Sequence, residues 1–344
     1  MFLRKTLFAL CAAGTSCAFA IGEHPTPGVG FDNSARYATD AYPGFDSVDD
    51  VVKPERKEPR WFAFINGPDC ADAKSQFAHC QSLDTAGDFK KAAKQYDALV
   101  REWPTSDEAP KAQQRYAELL LRELDDAEEA FREFRYLLDF YSSRCKYDEI
   151  ADRLYHVANV LKVEGKEVMF VRFANTVDVR RAYEACVLHA PGAKWVPEAM
   201  LVIARLREDE GKLTEGVMVY ENLRNLYPDA PEAKTAVYRE AALRMKLLRE
   251  HEYNRMRCRD VIDYMKLALR TCNPEHAVEI QAFLNEANGM IENEAYLGAK
   301  FYDSPTRTKR SAISAYEKFL REYPNSEHAV EVAARIEVLK GETR

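Results

Sequence analysis

Residues 312–329 read Ala312-Ile313-Ser314-Ala315-Tyr316-Glu317-Lys318-Phe319-Leu320-Arg321-Glu322-Tyr323-Pro324-Asn325-Ser326-Glu327-His328-Ala329. Ala312, Tyr316, Phe319 and Tyr323 share one face of a helix, which therefore needs an apolar neighbour. Pro324 stops that helix, because the residue before a proline disfavours α geometry. Glu327-His328-Ala329 then opens the next one.

The same pattern recurs upstream. One copy runs Gly87-Asp88-Phe89, Ala92, Tyr96, Leu99, Trp103-Pro104 and Glu108-Ala109. Another has Gly211, Tyr220, Tyr227-Pro228 and Glu232-Ala233. Three weaker copies keep the frame: Ala130, Phe134, Leu137 and Tyr141; Tyr183, Cys186, Ala190-Pro191 and Glu198-Ala199; and Tyr264, Leu267, Thr271 and Glu275-His276-Ala277. Together they predict about six helical hairpins over residues 69–344, an all-α solenoid in which each hairpin buries its face on the next. Trp103, Pro104, Tyr227, Pro228, Tyr323 and Pro324 are the expected turn positions. Ser106, Asp229 and Ser326 lie beside those turns, where a short oxygen-bearing side chain can accept from the unpaired amides of the following helix.

These residues resemble tetratricopeptide repeats, and the stretch from Ala315 to Ser326 is similar to the repeats of the BamD (YfiO) family. The anchors Trp103, Tyr141, Ala190, Tyr227, Thr271 and Tyr323 stand 37 to 52 residues apart, long and uneven as in that family. The resemblance covers roughly residues 70–340. It implies a periplasmic, lipid-anchored scaffold that assists insertion of outer-membrane β-barrel proteins, with a β-barrel assembly protein or nascent outer-membrane proteins as partners. The YbgF (CpoB) type carries nearly the same Tyr-Pro-x-Ser turn. It implies instead a soluble periplasmic protein coordinating envelope constriction or cell-wall synthesis.

The first twenty residues form a separate region. Arg4 and Lys5 precede an apolar run from Leu7 to Ala13, and Ala18-Phe19-Ala20 offers the small-x-small pattern of a signal-peptidase site, so the mature chain is expected to begin at Ile21. Cys17, after Gly14-Thr15-Ser16, offers a rival lipobox-like cut and the one expected route to a membrane, through a lipid. Removing Arg4 and Lys5 leaves 47 basic against 56 acidic residues, a net charge of −9 that disfavours nucleic acid as a partner.

Residues 21–68 hold Pro25, Pro27, Pro43, Pro54 and Pro59 with no sustained period, which predicts a flexible arm. Its aromatic end, Trp61, Phe62 and Phe64, is a candidate either for docking on the first repeat or for binding a partner.

Six cysteines follow the leader, Cys70, Cys80, Cys145, Cys186, Cys258 and Cys272. Cys145 and Cys186 are expected near the adjoining ends of one hairpin and are the candidate disulfide; free thiols packed as small core residues are the alternative. Cys258 and Cys272, fourteen residues apart on one expected helix, would lie about 20 Å apart, too far for a bridge. The same objection is raised for Cys70 and Cys80. No His-Glu-x-x-His, Cys-x-x-Cys, glycine-rich phosphate loop or Gly-x-Ser-x-Gly occurs, so no catalytic, cofactor or metal site is expected. The expected ligands are proteins or extended peptides.

Overall fold

The computed structural model describes residues 42–45, 56–58, 67–167, 176–251, 253–304 and 306–342. Among the described residues there are thirteen α-helices, one 3₁₀ turn at Pro274–His276 and no strand. The first helices are α1 (Ala73–Thr85), α2 (Phe89–Glu102), α3 (Ala109–Arg122), α4 (Ala127–Phe140), α5 (Tyr147–Glu167), α6 (Thr176–His189) and α7 (Val196–Asp209). They continue as α8 (Leu213–Leu226), α9 (Pro231–Glu250), α10 (Arg255–Thr271), α11 (Ala277–Phe301), α12 (Lys309–Glu322) and α13 (Ala329–Gly341). Each packs against the helix before it and the helix after it. Six hairpins therefore follow α1, from α2/α3 to α12/α13, and together they form the all-α solenoid expected from the repeats.

The expected core face is the buried one. Ala92, Tyr96 and Leu99 of α2, Ala130, Phe134 and Leu137 of α4, Tyr220 and Leu223 of α8, and Ala312, Tyr316 and Phe319 of α12 are sealed from solvent. Phe89 and Tyr323 are only partly buried, and Leu267 is 42% exposed, while Ala268 takes the core position of α10. Without a proline after Thr271, α10 runs on to a Cys272 cap, which removes the punctuation that fixes the frame elsewhere.

Trp103, Tyr227 and Tyr323, each followed by a proline, cap the C-termini of α2, α8 and α12 with nearly the same backbone, φ −124, −130 and −130° and ψ 60, 57 and 66°. Gly87 (φ +79°) and Gly211 (φ +75°) make the tight entry into α2 and α8, a left-handed conformation that suits glycine. Asp125 (φ 53°) stands in the corresponding place before α4. Of the expected capping side chains, Ser106 Oγ accepts from the Ala109 amide at 3.2 Å and Ser326 Oγ from the His328 amide at 3.1 Å. Asp229 does not cap α9. That helix starts from Ala230 with no side-chain cap, and Pro231 in its first turn removes one of the amides that would need one.

Two sets of aromatic contacts tie one hairpin to the next. The Tyr141 hydroxyl donates to the Pro104 carbonyl at 2.9 Å, and the Tyr227 hydroxyl donates to the Pro191 carbonyl at 2.8 Å, so each tyrosine reaches back to the preceding turn. In the second set, Trp195, His276 and His328, the residues capping the N-termini of α7, α11 and α13, stack on Tyr155, Tyr238 and Tyr296. The ring pairs lie within 10° of parallel, with centroids 4.5, 3.9 and 3.9 Å apart. The peptide Glu-His-Ala-Val-Glu occurs twice, at 275–279 and 327–331, and in both copies its last glutamate accepts from the hydroxyl of the stacked tyrosine, at 2.8 and 2.9 Å.

All six cysteines described are free thiols. The candidate bridge between Cys145 and Cys186 is not formed. Cys145 donates to the Ser142 carbonyl at 3.8 Å, and Cys186 lies sealed in the core, where burial pushes its thiol up. Cys70 is not on a helix with Cys80 as expected, because Asp72 caps α1 and the chain bends before it. Among the described residues no helix is long and apolar enough to cross a membrane.

Tyr141→Phe removes one stitch between turns and leaves the Pro104 carbonyl short of a donor. Urea unfolding is expected to show a loss of about 1 kcal/mol with an unchanged m-value.

Candidate peptide-binding site

The sequence offers no catalytic constellation, and a buried polar site lies where α2, α3 and α4 meet. Helical spacing assembles it. Asp97 and Arg101 stand four apart on α2, Gln113 and Tyr116 three apart on α3, and Glu133, Tyr136 and Phe140 three and seven apart on α4. Asp97 follows core Tyr96 and Glu133 precedes core Phe134, so the packing of those rings draws both carboxylates inward; their side chains are only 3% and 6% exposed.

Gln113 fixes Glu133 by donating to its side chain at 2.5 Å and to its backbone carbonyl at 3.0 Å. Gln76 of α1 makes the same pair of bonds to Gln95 of α2, at 2.6 and 3.4 Å. The equivalent of Glu133 in that first pair is thus a neutral amide, and the first pair lacks the negative charge of the α2–α4 site.

The site is filled by the arm. The ammonium of Lys57 lies 2.8 Å from Asp97 Oδ1, 2.6 Å from Glu133 Oε2 and 3.5 Å from Gln113 Oε1. The Tyr116 and Tyr136 rings flank it at 4.8 and 5.3 Å, within the range of cation–π attraction. Main-chain contacts extend the grip: the Lys57 amide donates to the Tyr136 hydroxyl at 3.4 Å, and Arg101 donates to the Glu58 carbonyl at 3.3 Å. Arg56 lies over the Phe140 ring at 5.5 Å.

Burial works against both carboxylates, and their surroundings decide the outcome differently. Desolvation raises Asp97, but Lys57 and Arg101 together overcome it and hold the carboxyl below its ordinary value. At Glu133 desolvation wins over Lys57 and Gln113, and its carboxyl is pushed up. Burial also raises the Tyr116 and Tyr136 phenols, which stay neutral as ring faces and as a hydroxyl.

A second stretch of the arm packs on α8. Tyr42 and Phe45 stack at 5.1 Å, and Gly44 (φ +92°) approaches so closely that a Cβ there would meet the Glu215 carbonyl at 2.6 Å. The arm expected to be a flexible linker thus has two of its stretches seated on the helices.

The sequence-based candidates fall differently. Trp61, Phe62 and Phe64 lie outside the described residues, as do Cys17 and the leader. Trp103, Tyr227 and Tyr323 end helices, with Pro104, Pro228 and Pro324 directly after them. The α2–α4 site was not anticipated. Its one signal was acidic residues beside the core aromatics, at Tyr96-Asp97 and Glu133-Phe134.

Two segments, residues 198–230 and 299–326, match the tetratricopeptide repeat family. Similar solved structures include the TPR2AB domain–pHSP90 complex of yeast Sti1, at 14% identity over 63% of this chain and 86% of that one, with a TM-score of 0.28. Another is a tetratricopeptide repeat protein from Parabacteroides merdae, at 13% identity over 77% of this chain and 98% of that one, with a TM-score of 0.29. No curated protein matches the sequence.

Lys57→Ala takes the ammonium from two buried carboxylates and is expected to cost about 3 kcal/mol at pH 7. The depressed Asp97 contributes stability above its ordinary value of 3.8 and loses it as pH falls through the folded value. The raised Glu133, ordinarily 4.5, is a cost above its folded value that protonation relieves. Lys57 lowers both carboxyls, so removing it raises both in the variant; the gap between wild type and variant is therefore widest at neutral pH, where both are ionised, and narrower below about pH 4, which urea titrations at pH 7 and 3.5 measure.

Proposed function

We propose that this chain of tetratricopeptide repeats is an exported, non-enzymatic scaffold of the cell envelope that holds other proteins. The observation that carries the reading is the seating of a non-helical stretch of polypeptide, Arg56–Glu58, on α2–α4 through its main chain as well as its side chains. A surface that grips its own arm in this way has the chemistry to grip a partner's segment. Stacked helical repeats suit protein–protein interaction because their extended surface presents several such positions in register.

The envelope location rests on the leader-like residues Arg4 to Ala20. The BamD-like turn from Ala315 to Ser326 favours the periplasm and a role in outer-membrane β-barrel assembly, with a barrel assembly protein or nascent barrel proteins as partners. The Ala18-Phe19-Ala20 cut supports a second reading, a YbgF/CpoB-like soluble protein acting in envelope constriction or wall synthesis.

Intact mass spectrometry of the protein from its native envelope tests this. A chain beginning at acylated Cys17 is the expected outcome for a lipid-anchored assembly scaffold, and one beginning at unmodified Ile21 favours the soluble role. A chain that retains Met1 overturns export altogether.

A further inference from the structure

Buried carboxylates elsewhere in the helices find their counter-charges on the helices themselves. Glu184 and Glu210 meet Arg180 and Arg207 of α6 and α7, at 2.6 to 3.6 Å. Glu240 of α9 meets Arg244 at 2.7 Å and Arg224 of α8 at 3.4 Å. At the α2–α4 site Arg101 serves Asp97, while the ammonium bridging Asp97 and Glu133 comes from outside the helices, on Lys57 of the arm. The helices by themselves form a preset receptor for a cation.

Its shape selects among cations. Three acceptors converge from three helices, Asp97 Oδ1, Glu133 Oε2 and Gln113 Oε1, which suits the three N–H bonds of an ammonium better than the planar fork of a guanidinium. Two tyrosine rings close the sides. The bonds to the Lys57 amide and the Glu58 carbonyl add a requirement for polypeptide main chain around that lysine.

We propose that the α2–α4 site is a receptor for a lysine presented on a non-helical segment of a partner protein, and that the arm closes it in cis through Lys57. The inference rests on the reading of the chain as a protein-binding scaffold and adds the chemistry of what it holds. The clip formed by Arg56–Glu58 is short and polar, and a tethered occupant of this kind competes through its high local concentration. An external ligand therefore binds weakly until the arm is displaced.

The test uses the full chain and a fluorescent synthetic peptide spelling residues 54–60, Pro-Glu-Arg-Lys-Glu-Pro-Arg. Anisotropy titrations are expected to give at least tenfold tighter binding to Lys57→Ala than to wild type. Replacing the peptide's lysine by norleucine, or adding Glu133→Gln to the Lys57→Ala chain, should cost at least tenfold. Far-UV circular dichroism checks that each variant is folded.

An independent readout leaves Lys57 in place. In the Asp97→Asn/Glu133→Gln chain the arm should be released, so that trypsin cuts after Lys57 faster than in wild type. Failure of the peptide to bind a folded Lys57→Ala chain, or equal binding of the norleucine peptide, overturns the inference. So does an unchanged cutting rate in the double variant. A partner protein that still binds the Lys57→Ala chain with wild-type affinity would sink the lysine receptor and leave the scaffold reading standing.

Discussion

A single hairpin of this protein cannot bury its own apolar face, and everything else follows from that. Phe134 and Leu137 of α4, or Tyr220 and Leu223 of α8, need a neighbouring helix on each side to be removed from water. Stacking supplies it, and the distance between successive hairpins is then fixed closely enough for the tyrosine stitches to Pro104 and Pro191 and the three stacked ring pairs to form.

The same stacking carries charged groups inward. An acid next to a core aromatic on a packed helix has little access to water, and it persists there only with a cation or donor at hand. Along α6–α9 the helices provide arginines for this purpose. At α2–α4 the arm provides a lysine. What distinguishes a structural ion pair from a binding site is thus where the counter-charge comes from, since an occupant joined through a separate segment can in principle be exchanged.

Much of the architecture was legible because its punctuation is local. The aromatic-proline pairs at 103–104, 227–228 and 323–324, and the glycines at 87 and 211, each force a backbone conformation that ends or begins a helix. Where the proline is missing, after Thr271, the reading of the core face slipped to Leu267. The candidate site was not legible. Lys57 lies 40 residues from Asp97 and 76 from Glu133, and nothing in a charged stretch of a proline-rich arm announces a long-range partner. Of the two cysteine readings the structure has the free thiols: ends of one hairpin being adjacent does not bring two particular side chains into bonding geometry, and Cys186 is buried in the core.

The most direct measurement is a double-mutant cycle between Lys57→Met and Glu133→Gln in the full chain, read by urea unfolding at pH 7. If the arm lysine truly answers the buried glutamate, the two substitutions should be coupled by at least about 1.5 kcal/mol, the scale of close charge pairs. Additive effects, with coupling near zero, would mean that Lys57 does not occupy the site and that the α2–α4 receptor is not what holds the arm.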